Sequence, residues 1–221
     1  MRSILLEELL LLKAECLRQH CSKLKISIIC SFTIYKRFYI YAMTIDINDN
    51  VKLELTSAKH ANGLFEAVNN NREHLSEFLP WVSLMRSVSD FEDYIHNCEL
   101  LHQQKKEVSF VIRNEYEIVG RIGLNHINIQ NKNAAIGYWL IKEAEGKGII
   151  TRSCEKLIHI GFTELDLHRI EIKAAVSNLK SQAIPKRLHF KKEGILREAE
   201  LVNGDFLDLV LYSLLREEWI E

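Results

Sequence analysis

The chain has 221 residues, enough for one domain with a sizeable core or at most two small ones. Apolar residues at 47% and charged residues at 27% are ordinary for a soluble globular chain, and a net charge of −1 gives no general attraction to nucleic acid or to an anionic membrane. The five cysteines have no Cys-x-x-Cys spacing and no histidine at zinc spacing, so they imply neither a disulfide framework nor a metal site and fit a reducing cytoplasm.

Residues 1–42 differ in character from the rest. Ser3 to Leu12 is leucine-rich but interrupted by Glu7 and Glu8, and the apolar run from Ile26 to Tyr35 is too short for the roughly 20 helical residues that span a bilayer. No clean apolar core with a small-residue cleavage site marks a signal peptide. We expect residues 1–42 to be an N-terminal extension, either sequence upstream of a start at Met43 or an amphipathic docking helix. Residues 43–221 are then one folded domain.

Val51 to Leu55 alternates apolar and polar, the pattern of a strand exposed on one face. Ser57 is placed to cap a helix through Leu64, Phe65 and Val68, and Glu73 to Phe78 predicts a short helix stopped by Pro80. Ser89 should cap a longer amphipathic helix with Phe91, Tyr94, Ile95, Cys98 and Leu101 on one face. Strands follow at Val108 to Ile112 and Ile118 to Ile129, around a turn at Asn114-Glu115. A polar turn, Asn131 to Asn133, then leads into a strand ending at Ile141. Beyond a glycine-bearing loop, a helix to about Leu165 carries Ile150, Cys154, Leu157, Ile158 and Phe162 inward. Arg169 to Val176 reads as a strand, and Ser181 to Leu188 as a helix bent or started around Pro185. The end is a hairpin: Ile195 to Val202, a type I′ turn at Asn203-Gly204, then Phe206 to Leu215. Strand pairs before and after helices argue an α+β fold with a mixed sheet rather than a doubly wound one.

The loop after the strand, Glu143-Ala144-Glu145-Gly146-Lys147-Gly148-Ile149-Ile150, carries the chemistry. Free amides at a helix N-terminus, beside glycines that let backbone come close, make an anion site, so a phosphorylated ligand is expected there. The nucleotide fingerprints do not fit. Lys147 lies between the glycines with no Gly-Lys-Ser/Thr after it, which excludes a Walker A loop. A dinucleotide loop needs a third glycine where Thr151 stands.

The remaining spacing, x-x-x-Gly-x-Gly after a strand, resembles the loop with which GNAT acyltransferases hold the pyrophosphate of coenzyme A. Ile136-Gly137-Tyr138-Trp139, Glu145 to Ile149, Asn178 with Ser181, Leu188-His189-Phe190 and Glu193-Gly194 extend the likeness to the RimJ/RimL-type N-terminal acetyltransferases, over roughly Val51 to Trp219. The resemblance implies the mostly antiparallel GNAT sheet flanked by helices, acetyl-CoA as co-substrate without a metal, a protein N-terminus as acceptor, and a possible homodimer. One departure is Glu143, where the family often has Gln or Arg; the amides of Gly146 to Ile149, with Lys147 and Arg152 nearby, must then do the binding.

Transfer of an acyl group to an amine needs phosphate anchoring, a neutral amine and a proton for the departing thiolate. The resemblance assigns cofactor binding to Leu140, Ile141, Gly146, Lys147, Gly148, Ile149, Ile150 and Asn178, with a strand amide near Leu140 or Ile141 polarising the thioester carbonyl. It assigns Glu200 as a carboxylate acting through water, although a strand residue simply facing solvent has the same sequence signature. Glu198 is the near alternative. It gives Ser181 the thiolate's proton, no tyrosine lying between Asn178 and Phe190, although both Asn178 and Ser181 are also ordinary helix-capping residues. Cys154 reads as a packed small hydrophobe. Tyr138 and Trp139 read as core or as groove lining, and His126, His159, His168 and His189 as structural. The rival readings are acetylation of a polyamine, amino acid or antibiotic, and a non-catalytic acyl-CoA-binding module.

Overall fold

Alternating burial along Val51–Leu55 and Arg169–Ala175, unbroken burial from Val108 to Ile112, and one-sided burial along the helices describe one sheet with helices packed on it. The computed structural model describes residues 44–219; the expectations for residues 1–42 fall outside them. The strands are β1 (Thr44–Asp46), β2 (Val51–Leu55), β3 (Val108–Asn114), β4 (Glu117–Asn128), β5 (Asn133–Leu140), β6 (Arg169–Ala175), β7 (Lys191–Val202) and β8 (Asp205–Leu215). The helices are α1 (Ala61–Asn69), α2 (Arg72–Ser76), α3 (Val88–Gln103), α4 (Ile149–Thr163) and α5 (Leu179–Arg187).

The strand order is β1-β2-β3-β4-β5-β6-β8-β7. Neighbours run antiparallel except β5 and β6, which are parallel. The fold is therefore α+β with a mixed, mostly antiparallel sheet. Trp139 of β5, 7% exposed, joins Leu64 and Val68 of α1 and Phe91 and Ile95 of α3 in one core. Its rings lie 6.1 Å from those of Trp81. Side chains alternate along a strand, so Tyr138 points to the other face. There α4 buries Cys154, Leu157, Ile158 and Phe162. Leu157, Ile158 and Phe162 each contribute about 1.5–3 kcal/mol by that burial. Packing on both faces fixes the carboxyl end of β5.

Three boundaries differ from the sequence reading for identifiable reasons. Ser87, not Ser89, caps α3. Its Oγ accepts from the Asp90 amide at 3.3 Å, and Asp90 Oδ2 accepts from the Ser87 amide at 2.8 Å. Ser89 has an acid three residues on as well, Glu92, but the reciprocal cap that forms is the one between Ser87 and Asp90. Helix α5 starts at Leu179, two residues before Ser181, because Asn178 Oδ1 accepts from the Ser181 amide at 2.9 Å. Pro185 sits inside that helix instead of starting it. β7 begins at Lys191 rather than Ile195. The Asn203-Gly204 turn is as expected, with φ of 53° and 94° closing Val202 onto Asp205.

Candidate active site

Pairing between β5 and β6 runs from Asn133↔Arg169 to Ala135↔Glu171 and stops there, although β5 continues to Leu140 and β6 to Ala175. Beyond that point the two strands have no register. The crevice at the carboxyl ends of parallel strands is where open mixed sheets bind ligands. Everything the sequence marked around the glycine loop and Asn178 follows one or other of these two strands.

On the β5 side, a 3₁₀ turn at Lys142–Ala144 leads to Gly146 and Gly148, with φ of 74° and 70°. Gly148 is the N-cap of α4 in the left-handed region that disfavours any side chain. Glu145 donates its amide to Lys142, and Arg152 donates its own to Gly148. Between them, every backbone N–H from Gly146 to Thr151 is without an acceptor among the described residues. Arg152 lies against this row: its Nη2 donates to the Lys147 carbonyl at 2.9 Å. A Cβ on Gly148 would meet its Nη1 at 2.9 Å, and its Nε is buried without a partner. Arg187 Nη1 donates to Thr151 Oγ1 at 3.0 Å, which brings a second guanidinium to the first turn of α4. Free amides, two cations and a surface only glycine permits fit a diphosphate. Of the loop's acids, Glu143 is exposed, while Glu145 pairs with Lys180 of α5 and with His74 of α2 at 3.2 Å. The negative charge nearest the amides is thus already occupied.

On the β6 side, Asn178 and Ser181 open α5. Tyr138 reaches them from β5: its Oη–H donates to the Ser181 carbonyl at 3.1 Å, and Ser181 Oγ–H donates to Tyr138 Oη at 3.2 Å. Burial pushes the Tyr138 phenol far above its usual range, so it stays neutral. The pairing of Tyr138 with Ser181 spans 43 positions, which no local pattern encodes. Alternation alone could have shown that Tyr138 and Trp139 face opposite sides of the sheet.

The amide of Ile141 donates to the Val119 carbonyl at 2.8 Å. Backbone groups on an antiparallel strand alternate in direction, so the Leu140 N–H faces away from β4, toward the gap beside β6. Of the two amides, Leu140's is the one without an acceptor among the described residues.

Glu200 lies on β7, paired with Leu207 after an irregularity in which Leu196 to Glu200 spans the length of Leu209 to Leu207. Glu198 adopts φ 50° there, and its amide is taken by Asp208 Oδ1 at 2.8 Å. Such a bulge re-aims the residues beside it. Glu200 is half-buried and has no hydrogen-bond or ion-pair partner among the described residues, and burial alone raises its carboxyl pKa. Just beyond it, Asn203 Nδ2 donates to the Ser76 carbonyl at 2.8 Å. The short helix α2 therefore ties the hairpin at Ser76 to the glycine loop at His74. No hydrogen bond joins Glu200 to Ser181 among the described residues, where the Ser181 hydroxyl donates to Tyr138.

Cys154 is fully buried, and burial pushes its thiol far up, which removes it from nucleophilic chemistry. A separate depression of about 360 Å³, lined by Lys59, His60, Glu66, Asn71 and Arg113, meets this region at Ile141 but includes neither Ser181 nor Glu200.

Residues 50–191 match the acetyltransferase (GNAT) domain family. Over 170 residues the chain is 32% identical to the ribosomal-protein-serine acetyltransferase of Escherichia coli strain K12, covering 77% of this chain and 95% of that one. The ribosomal L7/L12 α-N-protein acetyltransferase RimL, solved with coenzyme A, is similar in structure, with a TM-score of 0.76 and 30% identity over 80% of this chain and 99% of that one. So is the microcin C7 self-immunity acetyltransferase MccE, solved with acetyl-CoA and AMP, at 0.73 and 33% over 76% and 94%.

Proposed function

The chain belongs to the GNAT family of acetyltransferases, and from that premise we propose that it carries an acetyl group from acetyl-CoA to the α-amino group of a protein N-terminus, with a ribosomal protein as acceptor. The relatives named above support the acceptor and the co-substrate. The observation that carries the choice of amine is Glu200, a half-buried carboxyl with no ion-pair partner among the described residues. An α-amino group with pKa near 7.7–8.0 is already roughly 10–20% neutral at pH 7, so a weak base suffices, whereas a lysine near 10.4 demands a stronger one.

Bound acetyl-CoA supplies the acetyl group as a thioester, whose C–S bond breaks as the C–N bond forms. The amides of Gly146, Lys147, Gly148, Ile149 and Ile150, with Arg152, hold the pyrophosphate. Asn178 spends its Oδ1 on the cap of α5 and keeps its Nδ2 for the cofactor. The free amide of Leu140 polarises the acyl carbonyl, and Ile141 beside it keeps that strand end in register with β4. Glu200 receives the amine's proton through a water. Ser181 donates a hydrogen bond to the leaving sulfur. An alcohol is a far weaker acid than a thiol, so the serine stabilises the thiolate, and the proton that nitrogen gives up balances the one sulfur finally gains. The same reading takes the enzyme as a cytoplasmic homodimer, with the exposed Ile195, Leu201 and Phe206 of the terminal hairpin offering apolar surface for pairing.

Thiol release from acetyl-CoA, followed with Ser- and Ala-starting peptides, free lysine and polyamines, tests the acceptor. Turnover confined to peptide N-termini is expected, and turnover on polyamines or free amino acids instead would overturn it. A second test addresses the loop. Gly148→Ala forces a side chain into a left-handed position, a strain of about 1–2 kcal/mol, and presses on Arg152. The expected result is a KM for acetyl-CoA raised by about tenfold, as 1.4 kcal/mol gives, with kcat within twofold. An unchanged KM would detach the loop from cofactor binding.

A further inference from the structure

The carbonyl of Ser181 lies one helical hydrogen bond before Pro185, the residue whose N–H would have served it. Proline has no N–H, so this carbonyl depends on a donor from outside the helix. Tyr138 is that donor, at 3.1 Å. The same phenol oxygen accepts the Ser181 hydroxyl at 3.2 Å, so one tyrosine holds both the backbone and the side chain of the serine. Tyr138 is itself held on the face of β5 that looks toward α4, and the adjacent Trp139 is locked in the core behind. Neither partner is free to drift.

We propose that Tyr138 is a positioning residue for the acetyl transfer, fixing the Ser181 hydroxyl at the gap between β5 and β6 so that it meets the departing sulfur. The arrangement supplies two hydroxyl rotors in series. At rest, the serine proton points to Tyr138 Oη and the tyrosine proton to the Ser181 carbonyl. As negative charge grows on sulfur, the serine proton turns to it and the tyrosine proton turns from the carbonyl to Ser181 Oγ. No covalent bond changes in either hydroxyl. A chain of hydrogen bonds ending on a charge polarises each member, so the distal phenol strengthens the serine as a donor. Pro185 matters because a helical N–H at that position would satisfy the carbonyl and remove the reason for the phenol to stay.

This inference rests on the role given to Ser181 above, and a double-mutant cycle separates the two. Ser181→Ala, Tyr138→Phe and the double variant are compared in kcat, in KM for acetyl-CoA and in coenzyme A affinity. Ser181→Ala alone tests the serine: an unchanged kcat overturns its role. Tyr138→Phe alone is expected to lower kcat by about tenfold with coenzyme A affinity within twofold, as for an interaction strengthened only in the transition state. In the Ser181→Ala background the same substitution should change kcat by less than twofold, the signature of residues acting as a unit. Equal losses in both backgrounds, or a loss of coenzyme A affinity matching the loss of rate, would overturn the inference and leave Tyr138 as packing. A drop with Tyr138→Phe when Ser181→Ala has none would also overturn it, since the phenol would then act without the serine.

Discussion

Glu200→Gln should lower kcat/KM toward a peptide α-amine by about 10²–10⁴-fold at pH 7, the range for loss of a general base. The size of the gap should depend on pH. Glu200 works only when ionised, and burial raises its pKa, so the wild-type rate climbs through that pKa and again as the amine itself deprotonates. The variant keeps only the second limb, near the amine's 7.7–8.0. Above that limb the amine is neutral unaided, and the gap should narrow. Stability should move the other way. A folded-state carboxyl pKa above the unfolded value means that the native state prefers the proton. Its cost is absent below the ordinary carboxylate pKa and grows as pH rises through the raised one. Glu200→Gln should therefore raise Tm at pH 7 and leave it unchanged near pH 4. A gap below threefold at pH 7, or one constant with pH, would remove Glu200 from proton transfer.

The parts of this site that were legible in the sequence are those written locally. Gly146 and Gly148 sit where the backbone turns left-handed into α4, and a glycine pair between a strand and a helix shows this directly. Asn203-Gly204 is equally local. The cap of α3 is less so: Ser87-x-x-Asp90 and Ser89-x-x-Glu92 carry the same local pattern, and the fold uses the first. Other features depend on packing between distant segments. Nothing near Glu200 foretells its burial, because that depends on a bulge in β7 and on a hairpin held at α2 by Asn203. Nothing near Ser181 foretells Tyr138, which arrives from a strand 43 positions away. Pro185 carried a hint in its missing donor, but the hint says only that some outside group must serve Ser181.

The charge on the loop illustrates the same division. Glu143 reads in sequence as an acid beside an anion site, an arrangement that opposes binding, and Glu145 stands nearer still to the glycines. In the fold Glu145 is turned to Lys180 and His74 and becomes a tie between the loop, α5 and α2. The tie draws together the segments that carry Ser181 and the support of the Glu200 hairpin. An apparent liability in the linear sequence is a strut in three dimensions, and only the exposed Glu143 is left to screening by solvent.

Replacing the Leu140 amide with an ester, by ligation with the corresponding hydroxy acid, should lower kcat by about 10²–10³-fold, the cost of deleting one donor to a developing oxyanion. The substitution removes one hydrogen and leaves the side chain in place. It also breaks no bond of the β4–β5 ladder, because the Ile141 amide donates to Val119 and Leu140 must therefore face the other way. On that other side β6 has no register with β5 beyond Ala135↔Glu171. The free donor exists because the two parallel strands part. KM for acetyl-CoA should hold within about threefold, since an interaction made only in the transition state lowers kcat and kcat/KM together. The same ester at Ile141 should give the opposite result, lower stability with most of kcat kept, because that N–H is spent on the sheet. If the Leu140 ester kept more than a third of kcat, the carbonyl would have to be polarised by something other than this strand.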